Sequence, residues 1–388
     1  MIMRADKGGA TVVMNTRDYL EKAYALLNDT QTYLTLRSPP IATKMQQEFN
    51  RKLRKIANTL SDPLHKELVL SKISSRSPSV PYFYGVPKVH KPGCPLRPII
   101  AACGSPQNTL AEWLAQVLSQ FLGTFSSAHL QHSFQFIQRV KDSNWVDGRM
   151  ASLDVTALFT NVPLDYVITK LQEEHDQGNV TFPIPAEQFF SLIRLCVSST
   201  VFQFNNQGFA QKEGVAMGSP LTPVLANICM EFVEKEILNR CDEETKPVLW
   251  ARYVDDIFII FKGTDEKLKK LVEIANSILP SIKFTTEVEV DSKLPFLDVL
   301  VYRDCNRQSS TLVVSFGRSF LVPIIYGVPR LAFDHAICKV IVDEDLCRLF
   351  DLPGGFSPCR AVCTGAADEG IYHRSFIPVW ALAGPITS

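Results

Sequence analysis

The chain has 388 residues, with 40 Lys+Arg against 40 Asp+Glu for a formal net charge of zero, and 46% hydrophobic against 21% charged residues. This composition is too apolar for intrinsic disorder, and the length fits two or three domains or one enzyme core with subdomains. No window approaches the about 18 to 20 uninterrupted apolar residues of a membrane span, and Arg4, Asp6 and Lys7 stand where a secretory leader needs an apolar run, so neither membrane insertion nor secretion is expected.

Zero net charge conceals a gradient. Residues 1–100 carry 16 basic against 7 acidic side chains, residues 101–304 carry 17 against 26, and residues 305–388 carry 7 of each. A basic front and an acidic middle suit a protein that grips phosphates with one part and gathers carboxylates in another, although solvated helix faces give the same totals. The ten cysteines show no disulfide framework; Cys359 and Cys363 are the one close pair, no second pair completes a zinc ribbon, and free intracellular thiols are expected.

Met45, Phe49, Leu53, Ile56, Ala57 and Leu60 recur at helical spacing, which predicts an amphipathic helix over 44–60 with Arg51, Lys52, Arg54 and Lys55 largely outward, ended before Asp62-Pro63. Residues 1–80 thus read as a basic, helical N-terminal segment. Short β-prone runs at 82–89 and 96–101, joined through Pro92-Gly93, predict a hairpin carrying Lys88, Lys91 and Arg97. Helical periodicity returns over 109–122. A strand ending near Asp154 precedes helices over 164–175, with Pro163 at the first turn, and over 186–198. Strands at 201–204 and 208–211 flank the hairpin signal Asn205-Asn206-Gln207. A Gly/Pro-containing loop over 214–223 leads into an apolar helix through Leu225, Ile228, Cys229, Phe232 and Ile237. Residues 249–261 give apolar strands on both sides of Asp255-Asp256, followed by a helix over 265–279 and strands near 282–290 and 296–302. After about Asp304 the periods shorten, and 305–388 reads as a divergent tail of unassigned fold.

Tyr253-Val254-Asp255-Asp256 puts two adjacent carboxylates at a hairpin tip between apolar runs. Such neighbours repel unless a cation neutralises them, but Asp also forms turns well, and taken alone the pair favours a plain turn. Ser152-Leu153-Asp154-Val155 changes that weighting, because it ends a second apolar strand on an Asp. Phosphoryl transfer through two divalent metals requires carboxylates converging from separate strands, and Asp154 with Asp255 on adjacent antiparallel strands would supply them. In the run 211–223, Gly214, Met217, Gly218, Ser219 and Pro220 allow close backbone approach to a ligand, while a lone Gly-Ser-Pro turn marks only a helix start. The basic hairpin suits a triphosphate, since an arginine binds two phosphate oxygens at once.

In this order, the Pro-Lys…Leu-Arg-Pro hairpin, Ser-Leu-Asp-Val…Leu-Phe-Thr-Asn-Val-Pro, Gly-Val-Ala-Met-Gly-Ser-Pro-Leu-Thr-Pro and Tyr-Val-Asp-Asp resemble reverse transcriptases. The wording Ala5-Asp6-Lys7-Gly8-Gly9, Pro87-Lys88-Val89-His90-Lys91-Pro92, Leu158-Phe159-Thr160-Asn161-Val162-Pro163 and Leu294-Pro295-Phe296-Leu297-Asp298-Val299-Leu300 is similar to the Penelope-like retroelement branch, akin to telomerase catalytic subunits. The resemblance covers about residues 5–304. It implies an α+β fold of fingers and palm with an antiparallel palm sheet over 81–304, and an RNA-directed DNA polymerase adding deoxynucleotides to a primer 3′-hydroxyl. Mg²⁺ would be the cofactor, as two ions with Mn²⁺ as the alternative. RNA template, DNA primer and deoxynucleoside triphosphates would be the partners, with no membrane, and residence would be intracellular and nuclear.

Carried over by motif, the resemblance implies that Asp154 and Asp255 bind the metals and Asp256 supports them. Arg97, with Lys88 or Lys91, would hold the incoming triphosphate. Phe159 would be the steric gate against a ribose 2′-hydroxyl, Gln211, Gly214, Ser219 and Pro220 would line the nucleotide and template pocket, and Lys283 would be a candidate general acid beside its reading as a surface lysine. The sequence departs from the family pattern after Tyr302-Arg303, where a basic run, a helical thumb and often a GIY-YIG endonuclease are expected; Gly370-Ile371-Tyr372 comes too late for that nuclease. A truncated or frame-altered copy accounts for this, and the alternative to an active polymerase is an impaired copy that at most binds nucleic acid. An RNA-templated RNA polymerase is disfavoured by Phe159.

Overall fold

The structure, a computed structural model, describes residues 1–7, 10–73, 77–89, 91–143, 148–198, 200–212, 214–297, 299–304 and 311–316. The first half of the chain forms β1 (Ile2–Arg4), β2 (Thr11–Val13), α1 (Thr16–Leu27), β3 (Tyr33–Thr35), α2 (Ala42–Ala57), α3 (Pro63–Leu70), β4 (Tyr82–Pro87), β5 (Leu96–Ala101), α4 (Asn108–Ser119), α5 (Ser133–Asp142) and β6 (Arg149–Val155). Then follow α6 (Leu158–Asn161), α7 (Leu164–Asp176), α8 (Ala186–Ser198), β7 (Val201–Phe204), β8 (Gln207–Gln211), α9 (Leu221–Arg240), β9 (Leu249–Tyr253) and β10 (Asp256–Phe261). The series closes with α10 (Asp265–Ile278), β11 (Phe284–Val288), β12 (Lys293–Phe296), β13 (Val299–Asp304) and β14 (Thr311–Phe316). The chain divides into one unit of residues 1–297 and 301–312 and a second of residues 298–300 and 313–388. Most of the tail read from sequence, with Cys359 and Cys363, lies outside the described residues.

The architecture is α+β with an antiparallel central sheet, as expected. That sheet, in the order β11-β6-β10-β9, is antiparallel throughout. In β10, Ile257, Ile259 and Phe261 face the main core with helices α4, α7, α8, α9 and α10, while Phe258 meets Phe136 of α5 and Phe296 of β12 at ring centroid distances of 4.9 and 5.5 Å. Both faces of the strand are covered, which is why its sequence is a continuous apolar run instead of an alternating one. Helix α9 is buried nearly all round and carries Asn227, Glu231 and Glu234 inside that envelope.

The second sheet, in the order β3-β8-β7-β4-β5, is antiparallel except where β4 meets β7 in parallel at Tyr82 and Gln203. Phe83, Leu96, Ile100, Phe202, Phe204 and Phe209 turn to one face and pack against Tyr19, Ala23 and Leu27 of α1, a stripe at four-residue spacing. The β7–β8 hairpin turns through Asn205 and Asn206 at φ 47° and 61°, the left-handed pair that Asn tolerates in a tight hairpin. Residues 1–80, read as helical, therefore also contribute β3 to this sheet and the separate β1–β2 hairpin.

Candidate active site

The β4–β5 hairpin is braced from α1. Tyr19 Oη accepts from the Gly85 N–H at 2.8 Å, and Lys22 Nζ donates to Gly93 O at 2.6 Å. Its loop is tightened by Lys91 N–H to Lys88 O and Cys94 N–H to Lys91 O, both 3.0 Å. Val86 pairs with Arg97 and Tyr84 with Ile99, so these four share one face of the sheet. Arg97 Nε lies 2.8 Å from Asp6 Oδ1 without the alignment of a hydrogen bond; the contact is one of charge.

The central sheet sets Asp154 of β6 directly opposite Asp256 of β10, and Val155 N–H donates to Asp255 O at 3.2 Å. Tyr253 and Asp256 close a hairpin whose two loop residues are Val254 and Asp255, with Val254 at φ 58°. The neighbouring antiparallel strands expected from sequence are found, but Asp255 stands in the turn between β9 and β10, and Asp256 is the residue paired across from Asp154.

Opposite charges meet here. Burial first, and then the charge of Asp255, push the Asp154 carboxyl above its usual range, against the pull of Lys91, Lys7 and Lys88. Asp256 is raised by burial and then by Asp255, with Lys7 and Arg97 opposing. Burial, then Arg97, hold the Lys88 ammonium below its ordinary value, while Asp6 and Asp255 act the other way. Lys7, Lys88, Lys91 and Arg97 thus lie within electrostatic reach of the carboxylates. Among the described residues no three Asp, Glu, His or Cys side chains could enclose a cation by themselves.

The loop after β8 ties β5 of the second sheet to α6, the short helix that follows β6. Met217 O accepts from Ile100 N–H of β5 at 2.7 Å, and Val215 N–H donates to Phe159 O at 2.9 Å. At Gly218, φ 117°, a Cβ would stand 2.1 Å from Ile100 O; at Gly214, φ 70°, it would stand 2.3 Å from Thr160 O. Both glycines are therefore demanded by backbone against backbone. Phe159 is half-buried against the main core, Ser219 Oγ accepts from Leu221 N–H at 3.4 Å, and Pro220 caps α9. Gln211 ends β8 opposite Tyr33. Lys283 Nζ donates to Asn276 O of α10 at 3.3 Å.

Sequence reasoning missed the support beneath the turn. Arg252, fully buried, donates from Nε to Glu234 Oε1 at 2.7 Å, and from Nη1 to Asn227 Oδ1 at 2.6 Å and to Val254 O at 3.1 Å; Trp250 Nε1 also donates to Glu234 Oε1 at 3.0 Å. The readable signal was Asn227, Glu231 and Glu234 at i, i+4 and i+7 of an apolar helix, a polar stripe that must find buried partners.

No curated protein matches the chain. Among solved structures, telomerase from Candida albicans in complex with a fragment of telomeric RNA is similar in fold, with a TM-score of 0.55 at 10% identity over 82% of this chain and 54% of that one. Apo telomerase from Candida tropicalis truncated from its C-terminal domain has a TM-score of 0.51 at 11% identity, over 78% of this chain and 62% of that one. The chain spans roughly half to three fifths of those telomerases, and the likeness is one of fold. The profile of the family described as Reverse transcriptase (RNA-dependent DNA polymerase) matches residues 89–289, more than half of the chain and the span that holds all three aspartates. On that match the chain belongs to the reverse transcriptase family.

Proposed function

We propose that the chain is the fingers and palm of an RNA-directed DNA polymerase from a retroelement of the Penelope-like branch, joining deoxynucleotides to a primer 3′-hydroxyl on an RNA template. The observation that carries this reading is the pairing of Asp154 with Asp256 beside Asp255, within the electrostatic reach of Lys88, Lys91 and Arg97 of the β4–β5 hairpin. The motif wording supports the branch, which brings with it action in the nucleus.

The donor set fits a hard divalent cation. Asp154 and Asp256 are carboxylates raised by burial and by the charge of Asp255, and Mg²⁺ is held by one or two carboxylates together with substrate phosphates, so a cage of protein ligands is not needed. When bound, the metal supplies charge neutralisation on the departing pyrophosphate and a more acidic primer hydroxyl. Asp154 and Asp255 are the ligands in this reading, and Asp256 supports them from across β6 and β10. Arg97 and the two lysines bind the triphosphate and orient its α-phosphorus towards the primer. Phe159, fixed through its carbonyl by Val215 N–H, excludes a ribose 2′-hydroxyl, and Gln211, Gly214, Ser219 and Pro220 line the adjoining nucleotide and template pocket.

Primer extension on an RNA template with Mg²⁺ and deoxynucleotides tests the reading. Asp255→Asn is expected to lower incorporation by at least about 10³-fold while template binding is kept. Incorporation undiminished in that variant would sink the metal assignment. Salt-dependent template binding without any incorporation by the wild-type chain would identify a nucleic-acid-binding remnant instead.

A further inference from the structure

The tip of the β1–β2 hairpin reaches the cluster from outside the family's matched span. Ala5 N–H donates to Ala10 O at 2.8 Å to close the tip, and Asp6 N–H donates to Pro87 O of β4 at 2.9 Å. The Asp6 side chain is only 9% exposed. Its Oδ1 lies 2.8 Å from Arg97 Nε, and its Oδ2 is buried with no hydrogen-bond partner among the described residues. The Arg97 side chain is 27% exposed and its Nε makes no hydrogen bond, which leaves the guanidinium open to phosphate oxygens. Lys7, the next residue, is exposed and has no ion-pair partner among the described residues. Its charge is felt by both Asp154 and Asp256.

A carboxylate beside a phosphate-binding arginine weakens the local positive field, so its presence needs a compensating gain. Holding Nε fixes a long, freely rotating side chain before the nucleotide arrives, and binding then loses less conformational freedom. Lys7 restores the charge that Asp6 offsets. We propose that the Asp6–Lys7 tip is part of the triphosphate site, with Asp6 a positioning residue for the Arg97 fork and Lys7 a further cation on the phosphates of the incoming deoxynucleotide. This rests on the polymerase reading above. The tip is already docked through the Asp6 backbone N–H to Pro87 O, so a side chain needed only as a strap would duplicate that bond.

The experiment compares wild type, Lys7→Gln, Asp6→Asn, Arg97→Ala and the Asp6→Asn/Arg97→Ala pair, measuring the Kd for a deoxynucleoside triphosphate with Mg²⁺ by competition against a fluorescent triphosphate, and KM and kcat in primer extension. Lys7→Gln is expected to raise Kd and KM about tenfold, the size of one lost charge-assisted contact, with kcat within about twofold. Asp6→Asn is expected to raise Kd in the wild-type background and to have no further effect once Arg97 is gone. Unchanged Kd in both single variants overturns the proposal, as does an equal effect of Asp6→Asn with and without Arg97, which leaves Asp6 a strap. A wild-type chain that binds triphosphate but extends no primer removes the polymerase reading, and the Kd pattern still decides the tip. One that binds no triphosphate overturns both.

Discussion

Val254 is the most constrained residue of the site. A β-branched side chain at φ 58° is an outlier that costs about 1–3 kcal/mol, and it sits between Tyr253 and the two aspartates. Arg252 holds it there by donating to the Val254 carbonyl while Glu234 and Asn227 fix the guanidinium. Glu234→Ala leaves a fully buried guanidinium without its carboxylate, and a loss of about 3–5 kcal/mol in denaturant unfolding is expected. Arg252→Lys keeps the charge but not the fork, and incorporation should fall with primer–template binding little changed. An Arg252→Lys enzyme of normal kcat would show that the turn holds its shape unaided. At this scale the sequence was half legible. Asp154, Asp255 and Asp256 stand at strand ends where a motif reads them, whereas Arg252 looks like one charge in a short apolar strand, and its meaning lies in a helix turn 18 residues earlier.

Among the elements, the loop over 214–220 joins β5 to α6 through two glycines pressed on carbonyl oxygens. Gly218→Ala is expected to destabilise by at least about 2 kcal/mol, because both the backbone conformation and the 2.1 Å approach to Ile100 O forbid a Cβ. Gly93→Ala is the matched control: φ is 74° but nothing lies within 4 Å, so only the conformational part, about 1 kcal/mol, is expected. Equal midpoint shifts for the two in thermal unfolding would mean that the close approach relaxes. Elements with a full period or a strong turn signal were legible: α8 is found over Ala186–Ser198 as read, and the β4–β5 and β7–β8 hairpins stand at their Pro-Gly and Asn-Asn turns. The three-residue strands β1, β2 and β3 are too short to show a period; β1 and β2 exist by pairing with each other, and β3 by pairing with β8 far along the chain. The strand read over 282–290 stops at Val288, since Asp291 and Ser292 take positive φ and return the chain to β12 through a turn with no Gly to announce it.

For the whole molecule, buried titratable groups set the pH range of stability. His129 is held down to about 4 by burial and by Arg252 and Arg139, so below its unfolded value near 6.5 the unfolded chain takes up the proton first and stability falls as pH drops towards 4. Glu231, raised by burial, acts in the opposite sense at the acid end, which makes the difference between wild type and His129→Gln the quantity to follow. Burial pushes the Cys229 thiol up to about 12 from 9.0, so stability is full below pH 9 and declines as pH rises beyond it. Unfolding midpoints of wild type and His129→Gln should therefore diverge between pH 6.5 and 4 and run parallel above 7; parallel curves throughout would show that His129 is not held neutral. Zero net charge was uninformative as a total, but the basic cluster and the acidic strand ends that it averages now face each other. The join between β4 and β7 bears on how the chain is made. The second sheet is two hairpins meeting at one parallel pair, with β3 waiting for β8 about 180 residues downstream. At ribosomal rates of about 5–20 residues per second, Tyr33 stays unpaired on the order of ten seconds or longer, and the apolar face of β4 and β5, with α1 already made, waits for Phe202, Phe204 and Phe209 to complete its cover.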